Sequence, residues 1–417
     1  MINQTQSNSL GVYWHKIVGL LCFGWVSIWI YRTVLTPIYG EMQATIGITS
    51  DASMGAIASI YFFSYTGMQI PSGFLVDRFG IKAVLVPGFT LFAVAAILIG
   101  SANSLEMIYL GSLCAGLGTG AYYGSAYSLS GRTVPQEKRN FSNAIINSGS
   151  AVGMAIGLIG SSWLVKSLGL PWNIMLYIIS GIILAAMICF IVVIKPQEVN
   201  RKEKDAQAKG EEPEDLSTKT ELFSPLSISY YLLYFATCYG YYMLVTWLPN
   251  FLETERGFTG MAIGMSSALV AFASIPGALF FSRLADRFRS RRLLFIVSLE
   301  FCAALMLVLV VASPSSALLL LGLLLYGLTG KLAVDPMLVS LVTENSPRRR
   351  LATHLTTFNF CGMCASVAAP LLTGLISDQF HSKIGGFYLS VFLLAVCTVF
   401  FLLINRRRTP AESLTFQ

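Results

Sequence analysis

Charged residues are scarce in this sequence: they make up 12% of its 417 residues, while 55% are hydrophobic. Soluble domains carry about 25% charged residues, so such a chain cannot cover a globular surface exposed to water. A helix of roughly 20 apolar residues crosses the bilayer core of about 30 Å, and runs of that length recur from end to end. The composition therefore predicts a polytopic membrane protein.

Groups for catalysis and metal binding are also few. The three histidines (His15, His354 and His381) are scattered and offer no convergent cluster for an enzyme. All eight cysteines fall within apolar runs, where we interpret them as small packing residues. No G-x-x-x-x-G-K-[ST] motif is present, so ATP is not expected to be the energy source. The sequence predicts no catalytic residue, no metal site and no cofactor.

The apolar runs predict an all-α fold of twelve transmembrane helices. Strands of a membrane barrel would be about 10 residues long with alternating hydrophobicity, and these runs are much longer. The predicted spans lie near residues 16–40, 54–76, 82–101, 106–130, 141–165, 171–194, 226–250, 259–282, 291–312, 316–342, 352–377 and 383–405.

Lysine and arginine predict the orientation, because they accumulate in cytoplasmic loops. With both termini in the cytoplasm and the helices in the plasma or inner membrane, 23 of the 28 Lys and Arg residues lie on the cytoplasmic side. The net charge of +7 thus reflects membrane topology, and no nucleic acid partner is predicted. We expect a monomer in the lipid bilayer.

A polar segment divides the apolar sequence into two halves. Residues 195–222 contain six basic and eight acidic residues, which is typical of a solvated linker. It separates a predicted six-helix bundle of residues 1–194 from a second bundle of residues 223–417. Landmarks recur at offsets of 209 to 212 residues: Asp77 and Asp286, Pro37 and Pro249 (each ending a span), and Asn147 and Asn359. Two parallel repeats of six helices are therefore predicted.

Between spans two and three stands the motif G-x-x-x-D-R-x-G-x-K, formed by Gly73, Asp77, Arg78, Gly80 and Lys82. With twelve spans and a central loop, this motif makes the chain resemble the major facilitator superfamily. The resemblance implies a gate, in which the acid pairs with basic groups and helix ends, while the glycines permit close helix approach and a tight turn. A degraded second copy keeps the charged residues Asp286, Arg287, Arg291 and Arg292. Alternatively, these charges are solvated and only orient the spans.

Four ionisable residues fall inside predicted spans: Arg32, Glu300, Lys331 and Asp335. Inserting each of them into the membrane costs about 2.5–3.5 kcal/mol, so each is expected to have either an interaction partner or a function. Lys331 and Asp335 share one helix face, either as an ion pair that only packs or as a site that opens for substrate or a proton. Arg32 has no acid three or four residues away, and its guanidinium fork suits carboxylate or phosphate. We expect an anionic substrate at Arg32; a cross-span pair with another acid is the alternative.

A narrower resemblance concerns Arg32 and the stretches "LGTGAYYGSA", "KRNFSNAIINSG" and "TWLPNFLETERGF". They are similar to the anion:cation symporter and organophosphate antiporter branches, which implies transport of sugar acids, small carboxylates or sugar phosphates. The symporter branch often has an acid in span four where this chain has Thr119. Proton coupling is therefore expected at Asp335, with Glu300 as the second candidate. Because parallel-repeat transporters bind at the repeat interface, Arg32 and the Lys331–Asp335 pair are expected to meet one substrate molecule.

Tyrosine and amide side chains are expected on the other central faces. They suit a polyol or sugar-derived solute, although interhelical packing explains any single one of them. These candidates are Tyr65, Gln69, Tyr123, Tyr127, Asn147, Tyr241 and Asn359. A glycine series in span five predicts close helix packing: Gly149, Gly153, Gly157 and Gly160.

Together these features predict a secondary transporter of a small organic anion, driven by protons or by exchange. One alternative is a transporter of a neutral or zwitterionic solute, with Arg32 paired internally. The other is a membrane enzyme or sensor that retains this fold.

Overall fold

The computed structural model describes residues 2–135, 139–194, 222–288, 291–346 and 351–406. Within these ranges the chain forms fifteen α-helices and no strand, which confirms the all-α fold. The first eight are α1 (Ile2–Val34), α2 (Tyr39–Ile46), α3 (Asp51–Phe79), α4 (Ile81–Gly100), α5 (Leu105–Gly120), α6 (Tyr122–Thr133), α7 (Arg139–Ser161) and α8 (Asn173–Val193). The others are α9 (Pro225–Thr254), α10 (Met261–Arg287), α11 (Arg292–Ala312), α12 (Ser316–Thr329), α13 (Lys331–Asn345), α14 (Leu351–Phe380) and α15 (Ile384–Arg406).

Nine helical segments within the described ranges are long and apolar enough to cross a membrane. Predicted spans two, four and seven are not among them. Division of a span does not exclude it, because the nine include Ser316–Asn345, which contains both α12 and α13. The helix α9 is rich in tyrosine, which lowers its hydropathy. The chain is a multi-pass membrane protein, and the count of twelve spans stays a prediction.

Two predicted spans are broken at equivalent points. Ala121 separates α5 from α6, and Gly330 separates α12 from α13, 209 positions later. Gly330 has φ −79° and ψ −151°, so its extended backbone interrupts the helical path. Lys331 therefore opens α13, and the Lys331–Asp335 pair occupies the first turns after the break. Helix breaks at membrane depth occur where the freed backbone groups are buried in protein or line a cavity.

The chain forms two compact units. The first contains Met1–Thr49, Ala56–Gly210 and Phe258–Ala268, and the second contains Ser50–Gly55, Glu211–Gly257 and Leu269–Gln417. These units differ from the predicted bundles by two short segments, and the predicted boundaries stay a prediction. Residues 195–221 of the predicted linker lie outside the described residues.

Helix packing repeats within the two units. In the first unit, α1 packs against α7 and α8, and α4 packs against α5 and α8. In the second unit, α9 packs against α14 and α15, and α11 packs against α12 and α15. The helices correspond one to one at the offset seen in the sequence. This shared pattern agrees with the predicted duplication of a six-helix repeat.

A row of glycines lets α7 approach α1, the helix that carries Arg32. A Cβ atom built on Gly149, Gly153 or Gly157 would lie 2.6 Å from the carbonyl oxygen of Cys22, 2.4 Å from that of Val26 or 2.3 Å from Thr33 Oγ1. Close packing by small residues is the usual basis of helix association in membranes. The predicted role is confirmed at these three positions. It is wrong at Gly160, where a Cβ would meet no atom within 4 Å.

Replacing Gly153 with valine is expected to destabilise the first unit. The added side chain would overlap the Val26 carbonyl oxygen and Trp29 Cβ, which belong to the backbone and root of α1 and cannot swing aside. Overpacking of this kind costs about 1–3 kcal/mol. Thermal unfolding of the purified protein in detergent measures the effect, with Gly160→Val on the same helix as the matched control. Equal unfolding temperatures for both variants would contradict this packing.

Proline was predicted to end the first and seventh spans, and it does so only in the first. Pro37 lies in a 3-10 turn (Thr36–Ile38) that follows α1, as predicted. Pro249 lies inside α9, which continues to Thr254, so the prediction that Pro249 ends span seven is wrong. A proline removes only one backbone donor, and neighbouring helices can satisfy the freed carbonyl.

Candidate functional site

The half-buried Arg32 guanidinium of α1 lies among aromatic rings of the first unit. Cations within about 6 Å of a ring centroid are attracted by its π-electrons. Five rings meet this distance from Arg32 Cζ: Tyr65 at 4.5 Å, Trp29 at 4.9 Å, Phe62 at 5.2 Å, Tyr61 at 5.4 Å and Trp25 at 5.7 Å. We call these six residues the Arg32 cage.

A hydrogen-bond chain orients the guanidinium. Arg32 Nε donates to the Tyr61 hydroxyl at 3.0 Å, and this hydroxyl lies 2.9 Å from Thr119 Oγ1. Thr119 in turn donates to the carbonyl oxygen of Ala115 at 2.9 Å. Because arginine can only donate and the Thr119 proton is already used, Tyr61 donates to Thr119. Each hydroxyl in the chain has one defined direction, which fixes the position of Nε.

A small cavity lies on one side of Arg32. It measures about 20 Å³ and is bounded by Arg32, Tyr61 and Phe62 together with Tyr31 and Ser112. A water molecule needs roughly 10–15 Å³ by this measure, whereas ligand pockets span about 300–1,000 Å³. In this conformation of the first unit the cavity therefore admits a water molecule, and an organic anion at Arg32 requires a wider opening.

Several predicted residues of the first unit contact one another. Tyr65 belongs to the Arg32 cage, and Gln69 lies one turn further along α3, half-buried. The Tyr127 hydroxyl donates to Asn147 Oδ1, which joins α6 to α7. Tyr123 is 48% exposed, and its ring centroid lies 4.7 Å from that of Tyr127.

Sequence reasoning missed four members of the Arg32 cage, although the sequence carried a signal for all of them except Phe62. Trp25, Trp29 and Arg32 follow one another at spacings of four and three residues, which places them on one face of α1. Tyr61 precedes Tyr65 by four residues and shares its face of α3. A search for aromatic residues at helical spacing around each buried charge would have found them.

The second unit contains the predicted Lys331–Asp335 ion pair. Lys331 Nζ contacts Asp335 Oδ2, and the two side chains are 11% and 21% exposed. Lys331 Nζ also lies 5.4 Å from the Tyr234 ring and 5.8 Å from the Tyr241 ring, so the predicted residue Tyr241 belongs to this cluster. Asp335 Oδ1 is buried and has no hydrogen-bond partner among the described residues. The pair is confirmed as a contact, and its role in coupling stays a prediction.

Two further predicted residues belong to the second unit. The Tyr234 ring stacks on Phe358 at a centroid distance of 4.0 Å, and Phe358 precedes the predicted Asn359 on α14. Glu300 on α11 is 1% exposed and in hydrogen-bond contact with Thr237 of α9. Thr237 was not predicted, because a threonine within an apolar helix carries no distinctive spacing.

The family profile described as Major Facilitator Superfamily matches residues 21–362 and, in a second match, residues 230–416. The chain belongs to the major facilitator superfamily. The predicted resemblance is therefore confirmed, and the second match begins within the second helical repeat.

Relatives and solved structures of the superfamily agree with this assignment. The D-galactonate transporter of Escherichia coli O6:H1 is 25% identical over 411 residues, which cover 91% of this chain and 93% of that protein. The gentisate transporter of Corynebacterium glutamicum is 24% identical and covers 88% of this chain and 82% of that protein. A bacterial homologue of the human lysosomal transporter Spinster superposes with a TM-score of 0.74 at 15% identity, over 94% and 97% of the chains. The chain is a membrane transporter of a small solute and not an enzyme.

The superfamily motif between α3 and α4 is only partly as predicted. Gly80 has φ +88°, so it provides the predicted tight turn in a conformation that favours glycine. Gly73 does not provide a close approach, since a Cβ there would meet no atom within 4 Å. Lys82 Nζ donates to the Ile191 carbonyl oxygen near the end of α8, whereas the resemblance implied a helix-end contact for the acid. The Asp77 side chain lies outside the described residues, so its pairing stays a prediction.

In the second copy of the motif, one of the two adjacent arginines makes an ion pair. Arg292 is 5% exposed, and its Nη1 lies 2.8 Å from Glu344 Oε1 and 3.0 Å from Ser340 Oγ. Arg291 is exposed, and the Arg287 guanidinium lies 5.7 Å from the ring of its neighbour Phe288. The Asp286 side chain is outside the described part of the chain. Arg292 therefore links α11 to the end of α13 opposite the Lys331–Asp335 pair.

Proposed function

We propose that this chain is a secondary active transporter that moves a small organic anion (a sugar acid, a carboxylate or a sugar phosphate) by alternating access. The observation that carries the proposal is the Arg32 cage, which holds a guanidinium half-buried with its orientation fixed by Tyr61. The names of two relatives support it, because galactonate and gentisate are both carboxylates.

The physical argument rests on the surroundings of the guanidinium. Aromatic rings exclude water and lower the local dielectric, so a charge contact that is worth about 1 kcal/mol in water becomes worth several. The guanidinium fork matches a carboxylate or phosphate with two parallel hydrogen bonds. Because Tyr61 engages Nε, we expect Nη1 and Nη2 to bind the anion.

Proton coupling is proposed for the Lys331–Asp335 pair. The span-four position that is often acidic in the symporter branch is Thr119 here, and it serves the hydrogen-bond chain behind Arg32. Protonation of Asp335 would release Lys331 from its ion pair and add one positive charge to the transporter interior. An anion would then bind more strongly, which links proton uptake to substrate uptake.

Other properties are part of the same proposal. The protein is expected in the plasma or inner membrane as a monomer, with both termini cytoplasmic and without a nucleic acid partner. Two six-helix bundles, residues 1–194 and 223–417, are expected to be joined by a charged cytoplasmic linker. The superfamily motif with Asp77 is expected to act as a gate, together with its second copy.

Ligand-induced thermal stabilisation of the purified protein tests the substrate class. Stabilisation follows RT ln(1 + [L]/Kd), about 2.7 kcal/mol at a ligand concentration of 100 Kd. The panel contains sugar acids, dicarboxylates, sugar phosphates, amino acids, nucleosides and neutral sugars. We expect only anions to stabilise the protein. Stabilisation by a nucleoside or a neutral sugar, with none by any anion, would overturn the proposal.

Replacing Tyr61 with phenylalanine is expected to weaken anion binding about tenfold while the protein still folds. The variant keeps the ring of the Arg32 cage but removes the acceptor of Arg32 Nε and the donor to Thr119. A net loss of roughly 1.5 kcal/mol is typical of one hydrogen bond to a charged group, and 1.4 kcal/mol corresponds to a factor of ten. Ligand titration measures Kd, with the half-exposed Tyr388→Phe as control. Unchanged affinity in the Tyr61 variant would show that anion binding does not depend on orientation of the Arg32 guanidinium by the Tyr61 hydroxyl.

A further inference from the structure

Glu300 is an acid buried in the second unit without a cation beside it. Its side chain is 1% exposed, and it makes no ion pair with any described residue. One carboxyl oxygen, Oε1, contacts the Thr237 hydroxyl, while Oε2 is buried and receives no hydrogen bond from the described part of the chain. An ionised carboxylate in such a place lacks the donors and the counter-charge that compensate its loss of hydration.

The hydrogen bonds of Thr237 point to a proton on Glu300. Thr237 Oγ1 lies 2.8 Å from the Leu233 carbonyl oxygen and also contacts Glu300 Oε1. A hydroxyl group has one proton to donate, and neither a carbonyl nor a carboxylate oxygen can return one. The two contacts use separate protons when Thr237 donates to Leu233 and Glu300 donates to Thr237. In that arrangement Glu300 is a neutral carboxylic acid.

The charges around Glu300 favour the same state. The helices packed on it contribute these groups within electrostatic range: Thr237 and Cys238 from α9, Tyr326 from α12, Asp335 from α13 and Cys397 from α15. Asp335 is the only acid among them, and it is already paired with Lys331. Lys331, Asp335 and a protonated Glu300 sum to zero charge, whereas an ionised Glu300 would leave one negative charge in excess. Two neighbouring carboxylates resist simultaneous ionisation.

We infer that Glu300 carries a proton in this conformation and is a second proton site of the transporter, linked to Asp335 by charge repulsion. Glu300 stays neutral while Asp335 is ionised and paired with Lys331. When Asp335 takes up a proton, that repulsion disappears and Lys331 can balance a negative charge at Glu300. The two acids therefore keep at least one proton between them. This inference rests on the proposed proton-coupled function, in which Asp335 alone carried the proton.

Infrared spectroscopy of the membrane-reconstituted protein tests this inference without a substrate. A protonated carboxylic acid has a carbonyl stretch separate from the carboxylate bands. At neutral pH we expect this band in the wild type and in Asp335→Asn, and its loss in Glu300→Gln. The exposed acid Glu106 supplies the control, since Glu106→Gln should leave the band unchanged. In Asp335→Asn the band should persist only to a lower pH than in the wild type, because the repelling carboxylate is gone.

Two results would overturn the inference: no such band in the wild type, or a band that survives in Glu300→Gln. If Glu300→Gln does not fold, Thr237→Val replaces it, because loss of the hydroxyl should shift the frequency of the same band. An unshifted band in Thr237→Val would exclude Glu300 as its source. The anion panel decides the proposed function separately, so a failure of one proposal can be distinguished from a failure of the other.

Discussion

Arg32→Gln is expected to abolish binding of the organic anion, and Arg32→Lys to weaken it. Glutamine removes the positive charge from the Arg32 cage, where aromatic rings surround the guanidinium at 4.5 to 5.7 Å. A hydrogen-bonded charge contact in such surroundings is worth about 3 kcal/mol or more, so Kd should rise at least ~100-fold. Lysine keeps the charge but loses the planar fork and the Nε donor to Tyr61.

Titration of the most stabilising anion from the panel measures this effect. Arg283→Gln is the matched control, because Arg283 is an exposed arginine on α10 and has no place in the proposed site. Its Kd should equal that of the wild type, and all variants should unfold at similar temperatures without ligand. If Arg32→Gln binds the anion normally, the organic-anion proposal fails, and a neutral solute takes its place.

Asp335→Asn is expected to uncouple substrate transport from the proton gradient. Asparagine imitates the protonated acid, so Lys331 loses its ion pair permanently. Substrate binding and exchange of internal for external substrate should persist, because the positive charges remain. Accumulation driven by a pH gradient should fall to the level of empty vesicles, because the variant lacks the carboxyl group whose protonation releases Lys331.

Uptake into proteoliposomes, with and without an inward proton gradient, measures this separation. Glu106→Gln provides the control, since that acid is fully exposed near the start of α5. Accumulation by Asp335→Asn at the wild-type level would place the coupling residue elsewhere and refute the role of Asp335. Loss of exchange together with accumulation would instead make the Lys331–Asp335 pair a structural contact.

The sequence by itself determined the features that depend on composition and on neighbours along one helix. The low fraction of charged residues predicted a membrane protein, because too few polar residues are present to cover a surface in water. The Lys331–Asp335 contact follows from a spacing of four residues, which any helix turns into proximity. The turn at Gly80 was predictable for the same reason, since it needs only local backbone geometry.

Tertiary structure alone decided which helix faces meet. Tyr61 joins Arg32 to Thr119 across sequence separations of 29 and 58 residues, and Thr237 contacts Glu300 across 63. Arg292, and not Arg291, faces Glu344 because the rotation of α11 turns one of two adjacent arginines inward. Helical periodicity defines the face on which a side chain lies but does not determine which residue of another helix it contacts. That partner depends on how closely each pair of helices packs, which is set by the small residues and side-chain volumes of both.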